Sequence, residues 1–176
     1  YQAIMKNILI VSSTKNSNFD LSNEIKSFLD KKDDITSSVI SLEEFDLPLY
    51  KPGLEEDFKK NNSFPDDIEK VKNLILTSDA LVWCSPEYNG GVSPILTNVI
   101  AWMSRATEDW RDGFKNKYSL ICTSSGGNGH NFVKGFSLQL NYLGSNVLEE
   151  SIVKTKKKNI DYSEFESILT KFYQKL

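Results

Sequence analysis

Five short apolar runs, separated by segments of helical periodicity, restrict the fold of this chain more than any other feature. The runs are Asn7–Ser12, Ile35–Leu42, Ala80–Cys84, Tyr118–Thr123 and Asn146–Val153. The first is almost entirely β-branched or leucine, as expected of a strand that is buried on both faces. Strict alternation of strands with helices predicts an α/β domain with one parallel sheet that is covered by helices on both faces.

Five amphipathic helices are predicted between and after these strands. They comprise a first helix lined by Leu21, Ile25, Phe28 and Leu29, a second lined by Phe64, Ile68, Val71 and Ile75, a third over residues 93–105, a fourth over residues 128–143, and a last lined by Phe165, Ile168, Leu169 and Phe172. Helix-end signals agree with them, namely Pro65, Ser93, Pro94, Gly144 and a capping box at Ser163 and Glu166. The longest irregular stretch, residues 43–63, is predicted to form a functional rim, because long loops are usually functional.

Length and charge exclude several classes of protein. The 176 residues predict a single domain over residues 1–176, and 39% hydrophobic with 26% charged residues is typical of a soluble globular protein. The net charge of -3 argues against nucleic-acid binding. No apolar run approaches the roughly 20 residues that a membrane helix requires. The basic run Lys154–Lys158 is interpreted as a solvated loop rather than as an anion site.

The cysteines and the N-terminus indicate a cytoplasmic protein. Cys84 and Cys122 both lie in apolar runs and are expected to be buried free thiols in a reducing compartment. One histidine and no paired-cysteine spacing argue against a metal site. No secretory signal precedes the first strand. Met5 resembles a natural start, and residues 1–4 are therefore expected to be foreign to the protein.

The position of a ligand site follows from the predicted sheet. In an open parallel sheet, ligands bind beyond the carboxyl ends of the strands, where the strand order reverses. Right-handed crossovers leave few doubly wound topologies. The flavodoxin-like order 2-1-3-4-5 brings the loops after the first, third and fourth strands together in one crevice. These three loops are rich in small, polar and turn-forming residues, so we expect the ligand there.

The first of these loops, Ser12–Asn18, is polar throughout and leads into a helix. Hydroxyls, amides and backbone N–H groups at a helix N-terminus form a nest for a phosphate, and Lys15 adds a positive charge. A polar turn with a helix cap is the alternative interpretation. The spacing of a nucleotide-binding P-loop is absent.

The other two loops carry the glycines. In residues 85–94, Asn89, Gly90 and Gly91 permit positive φ and the close approach of a flat ligand. A plain tight turn is the alternative, but it does not explain Glu87 and Tyr88. Residues 124–129 hold three glycines, which favour contact with a ring or phosphate over a flexible connector. The following residue, His130, is interpreted as a surface or capping residue.

The second loop and the helix after it resemble a known family. The sequence Pro86-Glu87-Tyr88-Asn89-Gly90, followed by Pro94, Leu96, Asn98, Ile100 and Trp102, resembles the signature of the NADPH-dependent FMN reductase family, which includes flavin, quinone, azo-dye and chromate reductases. The resemblance spans nearly the whole chain, including Asp46-Leu47-Pro48 and Phe114-x-x-Lys117. In the first loop, Ser12 replaces the family's glycine and Lys15 its arginine, and the loop is a residue shorter. Ser17 and Asn18 therefore stay alternatives for the phosphate contact.

The resemblance implies a bound FMN and a set of residues that hold it. The implied set is Ser13, Thr14, Lys15, Ser17 and Asn18 at the phosphate, Pro86, Glu87, Tyr88, Asn89 and Gly90 at the ribityl chain and isoalloxazine, and Ser124, Ser125, Gly126 and Gly127 around the ring. It also implies hydride transfer from NADPH or NADH through FMN to a small acceptor such as a quinone, flavin or azo compound. No catalytic side chain and no metal are implied.

The resemblance further implies a homodimer or homotetramer that assembles through the third and fourth helices. Trp102 lies outside the core stripe of its helix, which fits burial against a second subunit. Trp110 and residues 43–63 would then wall the nicotinamide site. Two other classes stay open: a flavodoxin-like electron carrier, which the modest net charge disfavours, and a flavin-free regulatory domain on the same fold. The physiological acceptor and the preference between NADH and NADPH are open as well.

Overall fold

The computed structural model describes residues 4–176. The segment expected to be foreign, residues 1–4, lies outside this range apart from Ile4. The strands are β1 (Lys6–Ser12), β2 (Ile35–Ser41), β3 (Ala80–Cys84), β4 (Glu87–Tyr88), β5 (Gly91–Val92), β6 (Tyr118–Ser125), β7 (Asn146–Val147) and β8 (Ile152–Thr155). The α-helices are α1 (Ser17–Leu29), α2 (Pro52–Lys60), α3 (Asp66–Leu76), α4 (Pro94–Ala106), α5 (His130–Tyr142) and α6 (Tyr162–Gln174).

The central sheet is parallel and has the order β2-β1-β3-β6-β7, with β8 also paired to β6. The predicted doubly wound, flavodoxin-like α/β architecture is thereby confirmed. The single fifth strand predicted over Asn146–Val153 is wrong in detail, because two short strands occupy that position. Between them, Glu149 is exposed and the carboxylate of Glu150 bonds to Lys171 at 2.8 Å. Two adjacent carboxylates favour solvent over the sheet interior, so the strand is interrupted there.

Side chains of β1 alternate between two hydrophobic cores on opposite faces of the sheet. Ile8 and Ile10 pack beneath α1 and α6, whereas Leu9 and Val11 pack beneath α3, α4 and α5. All four are fully buried, and each contributes roughly 1.5–3 kcal/mol through the hydrophobic effect. The cysteines are paired in register across β3 and β6, and both are buried free thiols, as expected.

Residues 43–63 are not irregular, because they contain α2, which the sequence analysis missed. This segment covers α4, and the indole N–H of Trp102 donates to the carbonyl oxygen of Pro48 at 2.6 Å. The rings of Tyr50 and Phe58 lie 5.1 and 5.6 Å from the Trp102 ring, centroid to centroid. Trp102 is therefore fully buried within its own chain. The expectation that Trp102 is buried against a second subunit is wrong.

Helix ends agree only partly with the sequence signals. Gly144, with φ +88°, follows α5 as the predicted C-terminal cap. The capping box at Ser163 and Glu166 is wrong, because the Asp161 side chain caps α6 by accepting from the Ser163 N–H at 3.2 Å. Ser93 precedes α4 without capping it, since its hydroxyl bonds to Ser85 at 2.9 Å.

None of the helices in residues 4–176 combines the length and the apolar character that crossing a bilayer would take. In the same range, no group of three or more histidine, cysteine, aspartate or glutamate side chains is arranged to hold a metal ion.

Candidate functional site

Three loops meet at the carboxyl edge of the sheet. Loop one (residues 12–18) follows β1, loop two (residues 85–93) follows β3, and loop three (residues 124–129) follows β6. The three strands are neighbours, and β1 has β2 on one side and β3 on the other. The chain therefore reverses its direction of winding at β1, which is where open α/β sheets bind ligands.

Loop one presents hydrogen-bond donors at the start of α1. The N-cap residue, Asn16, makes no side-chain capping bond, and the N–H groups of Ser17 and Asn18 have no intrahelical partner. The hydroxyl of Thr14 is buried and finds no hydrogen-bond partner among residues 4–176. Lys15 is exposed beside these groups. Free donors, a positive charge and the helix dipole together fit a phosphate group.

A carboxylate already lies at this loop, a contact that the sequence analysis did not foresee. Oε2 of Glu43 accepts a hydrogen bond from the Lys15 N–H at 2.5 Å. Glu44 lies next to it, with Oε1 3.9 Å from the Lys15 ammonium. The Lys15 amide is thus oriented to bind an anionic oxygen. The same carboxylates place the beginning of the predicted rim, residues 43–63, against loop one.

Buried serine hydroxyls join loop one to loop two. The Ser93 hydroxyl lies 2.9 Å from the Ser85 hydroxyl and donates to the Ser13 hydroxyl at 3.4 Å. All three residues are buried. Ser85 and Ser93 are the first and last residues of loop two. They were not predicted as site residues, although small hydroxyl side chains at both ends of a ligand loop are visible in the sequence. They fix the position of loop two relative to the first.

Loop two is a tight hairpin in which β4 and β5 pair antiparallel. Its two connecting residues, Asn89 and Gly90, have φ of +51° and +68°, the backbone of a type I′ turn, for which Asn-Gly is the preferred sequence. Gly91, the third residue expected to permit positive φ, does not adopt it. Tyr88 lies beside the turn with 46% of its surface exposed, and its ring is accessible to a flat ligand.

Glu87 connects loop two to loop three and to α5. Its Oε2 accepts from the Phe132 N–H, in the first turn of α5, at 2.9 Å. Its own backbone N–H donates to the Ser125 hydroxyl at 2.8 Å, and that hydroxyl contacts Thr123 at 2.8 Å. This explains why a glutamate precedes the turn. Its carboxylate caps a helix that starts in the neighbouring loop.

Asn18 connects loop one to loop three. Its side-chain amide donates to the Ser124 carbonyl oxygen at 2.9 Å and accepts from the Ser124 N–H at 2.8 Å. The amide oxygen and one amide N–H of this buried side chain are thus engaged with Ser124, and the backbone N–H of Asn18 has no intrahelical partner. Of the two alternatives for the phosphate contact, Ser17 has an exposed side chain and Asn18 has a buried one.

Loop three contains three glycines, which leave its backbone uncovered by side chains. Gly126 and Gly127 are exposed, so no side chain covers the surface next to loop two. A Cβ at Gly129, whose φ is +74°, would approach Cγ2 of Thr123 to 2.8 Å, so only glycine fits. His130 is exposed at the start of α5, and its N–H bonds to the Asn128 side chain at 3.1 Å.

Trp110 is not part of this crevice. It belongs to the connection from α4 to β6, which opens at the amino edge of the parallel sheet, opposite the three loops. There its ring lies 5.5 Å from that of Tyr142, with the Arg111 guanidinium 4.3 Å away. Trp110 therefore does not line the crevice of its own chain, and its predicted role at the nicotinamide site of a dimer stays a prediction.

The parallel sheet, its reversal point and the three loops at its carboxyl edge define a flavodoxin-like α/β protein. The fourteen residues predicted to contact FMN, Thr14 among them, all belong to these three loops. The profile of the NADPH-dependent FMN reductase family matches residues 5–159, and the chain belongs to that family. Membership implies FMN as the cofactor, and the members of this family are described as NADPH-dependent.

One curated relative is similar to this chain in sequence, and two solved structures share its fold. An NADPH:quinone oxidoreductase of Arabidopsis thaliana is 35% identical over 78 residues, which cover 44% of this chain and 38% of that protein. An apo NADH:FMN oxidoreductase is similar in structure, with a TM-score of 0.77 and 14% identity over 98% of this chain and 90% of the other. The structure of an NAD(P)H:acceptor oxidoreductase of Paracoccus denitrificans is also similar, with a TM-score of 0.75 and 17% sequence identity. The match covers 97% of this chain and 94% of the other. The chain spans less than half the length of the plant relatives that it matches.

Proposed function

We propose that this chain is an FMN-dependent NAD(P)H oxidoreductase that delivers electrons to a small acceptor such as a quinone, a flavin or an azo compound. The observation that carries the proposal is the crevice of three loops, joined by direct hydrogen bonds and holding an unpaired buried hydroxyl at Thr14. Membership of the NADPH-dependent FMN reductase family supports it. Relatives named quinone reductase and azoreductase support the class of acceptor.

The phosphate of FMN would bind at loop one. Ser13, Thr14 and Ser17 supply hydroxyls, and Lys15 supplies one cation. Backbone N–H groups come from Ser17 and Asn18, because those of Ser13 and Lys15 already donate to Cys84 and Glu43. The buried Thr14 hydroxyl supports this fit, because an unpaired buried hydroxyl is costly unless a ligand satisfies it. Lysine binds phosphate as a point charge, without the bidentate geometry of arginine.

The flavin ring would lie between loops two and three. Pro86, Glu87, Tyr88, Asn89 and Gly90 would border it on one side, and the residues Ser124, Ser125, Gly126 and Gly127 on the other. The positive-φ turn and the missing Cβ atoms allow backbone N–H groups to approach a flat ring. Glu87 and Ser125 would hold the two loops at a fixed spacing.

When bound, FMN would accept hydride from the nicotinamide and pass the electrons to the acceptor, so no side-chain acid or base is required. The chain's own residues would anchor the phosphate, fix the ring and leave one face open to both substrates. We therefore assign no catalytic side chain. The exposed Tyr88 would pack against the ring or the incoming substrate.

We further propose that one domain, residues 1–176, assembles as a homodimer, or as a homotetramer of such dimers. The dimer would form through α4 and α5, with Leu138 and Tyr142 as exposed apolar side chains on α5. The free thiols Cys84 and Cys122 favour the cytoplasm, where disulfides are rare.

Steady-state turnover tests the function. The purified protein, loaded with FMN, is given NADPH or NADH and in turn a soluble benzoquinone, riboflavin and an azo dye. We expect oxidation of at least one nucleotide with at least one acceptor. Bound FMN without turnover would instead identify an electron carrier. No FMN binding would identify a flavin-free domain.

A further inference from the structure

A cavity of about 350 Å³ lies beside loop three and is separate from the proposed FMN contacts. The side chains that line it are Asn128, His130, Ser151, Val153, Thr155, Lys158, Ile160 and Glu164. The first two of these come from loop three and the start of α5. The cavity therefore shares a wall with the loop that would border the flavin ring. Its volume lies in the range of small-molecule sites.

The basic run Lys154–Lys158 forms the turn at the edge of this cavity. The Thr155 N–H donates to the Lys158 carbonyl oxygen at 3.0 Å, and the Lys158 N–H donates to the Thr155 hydroxyl at 3.0 Å. Lys158 lines the cavity itself. Lys156 extends toward loop three, since a Cβ built on Gly126 would lie 3.8 Å from the Lys156 Cε.

The charges around the turn are mostly uncompensated. Lys154 bonds to Glu24 at 3.1 Å. Lys156 and Lys158 are exposed, and neither forms an ion pair with any residue in the range 4–176. Glu164 is the acidic side chain in the cavity lining. Two unpaired ammonium groups next to a ligand loop, in a chain of net charge -3, indicate an anionic ligand.

We propose that the cavity and the ammonium groups of Lys156 and Lys158 bind the phosphates of the nicotinamide dinucleotide. This proposal rests on the proposed function, because the nucleotide must reach the flavin ring that loop three borders. The apolar side chains of Val153 and Ile160 would pack against its adenine. The phosphate is either the pyrophosphate, which NADH and NADPH share, or the 2′-phosphate of NADPH alone.

The double variant Lys156→Gln/Lys158→Gln tests the site. A matched control, Lys31→Gln/Lys175→Gln, removes two exposed lysines that follow α1 and α6, near the opposite edge of the sheet. KM and kcat are measured for NADPH and NADH on FMN-loaded protein, and adenosine 2′,5′-bisphosphate is titrated calorimetrically. We expect the NADPH KM and the bisphosphate Kd to rise about tenfold, with kcat unchanged, and the control to match the wild type.

The two nucleotides distinguish the two phosphates. A KM increase for NADPH alone assigns the lysines to the 2′-phosphate, and equal increases for both nucleotides assign them to the pyrophosphate. Unchanged KM values and unchanged bisphosphate binding overturn this proposal and leave the reductase function intact. If the wild type oxidises neither nucleotide, the proposed function fails. The titration then decides alone: bisphosphate binding that the double variant loses supports the site, and no binding overturns it.

Discussion

The hydroxyl oxygen of Thr14 is predicted to affect stability and FMN affinity in opposite directions. A buried hydroxyl without a hydrogen-bond partner destabilises the FMN-free protein. A bound phosphate would supply that partner, and a hydrogen bond to a charged group is strong. We expect Thr14→Val to leave the free energy of unfolding of the FMN-free protein unchanged or slightly raised. We expect its FMN Kd to rise about tenfold or more, since a hydrogen bond to a charged group contributes about 1.5–3 kcal/mol.

Urea denaturation and a fluorescence titration with FMN measure the two quantities. Thr77→Val is the matched control, because the Thr77 hydroxyl already bonds to the Asn73 carbonyl oxygen at 2.7 Å, far from loop one. This control should bind FMN as the wild type does. An unchanged FMN affinity in Thr14→Val would remove Thr14 from the phosphate site.

Tyr88 makes a second prediction at the residue scale. Its half-exposed ring lies beside the Asn89–Gly90 turn, where the flavin would bind. We expect Tyr88→Ala to raise the FMN Kd about three- to tenfold, because a pair of aromatic rings contributes about 0.5–1.5 kcal/mol. Tyr162→Ala, at another exposed tyrosine on α6, serves as the control. Equal FMN affinity in both variants would argue against ring packing at Tyr88.

Local sequence revealed the loops but not the contacts between them. The Asn-Gly pair of loop two encodes its turn directly, because few other residues tolerate positive φ. The bond between Asn18 and Ser124 joins residues 106 positions apart, and the cap from Glu87 to Phe132 spans 45. No spacing in the sequence encodes such pairs, since they depend on the strand order. Asn18 was therefore predicted as a phosphate contact, whereas its side chain joins two loops.

At the scale of secondary-structure elements, hydrophobic periodicity failed to predict α2. Only Leu54 and Phe58 of its nine residues pack against the core, and none is fully buried. Two apolar residues four positions apart are too few to predict a helix against a Pro-Gly start. Polar contacts hold it instead, because Glu55 accepts from the Tyr50 hydroxyl at 2.9 Å and from Lys59 at 2.8 Å. Arg105 on α4 lies 3.3 Å from the same carboxylate.

This carboxylate predicts a pH dependence of stability. The hydrogen bond from Lys59 holds the pKa of Glu55 below its ordinary value, although burial opposes the shift. A carboxyl whose pKa is lower in the folded state stabilises it above the unfolded pKa, about 4.3, and loses this effect as pH falls through the folded pKa. We expect Glu55→Gln to be less stable at pH 7 by about 1 kcal/mol, and the difference to vanish in acid.

Urea denaturation between pH 7 and pH 3 measures this difference. Glu56→Gln, at the exposed neighbouring position, is the control and should follow the wild-type profile. If Glu55→Gln lowers the free energy of unfolding by the same amount at every pH, the ionised Glu55 carboxylate does not stabilise the packing of α2.

For the whole molecule, the sequence predicted the sheet because its strands are buried on both faces and read as apolar runs. The same logic failed where polar residues interrupt a run, as Glu149 and Glu150 do between β7 and β8. It also failed for Trp102, because an apolar surplus on a helix does not tell which neighbour covers it. Here the neighbour is the chain's own residues 48–64. The dimer proposal must therefore rest on side chains that the fold leaves exposed.

Leu138 and Tyr142 are those side chains, with 66% and 72% of their surfaces exposed on α5, and the Trp110 ring extends the patch. We expect Leu138→Arg to convert a dimer into a monomer, raising the dimer Kd about a hundredfold, because an unpaired charge in an interface is strongly unfavourable. Sedimentation velocity over a range of concentrations measures this. Leu76→Arg, on α3, is the control and should leave the dimer intact. A wild-type monomer, or a dimer that Leu138→Arg does not weaken, would exclude this face as the interface.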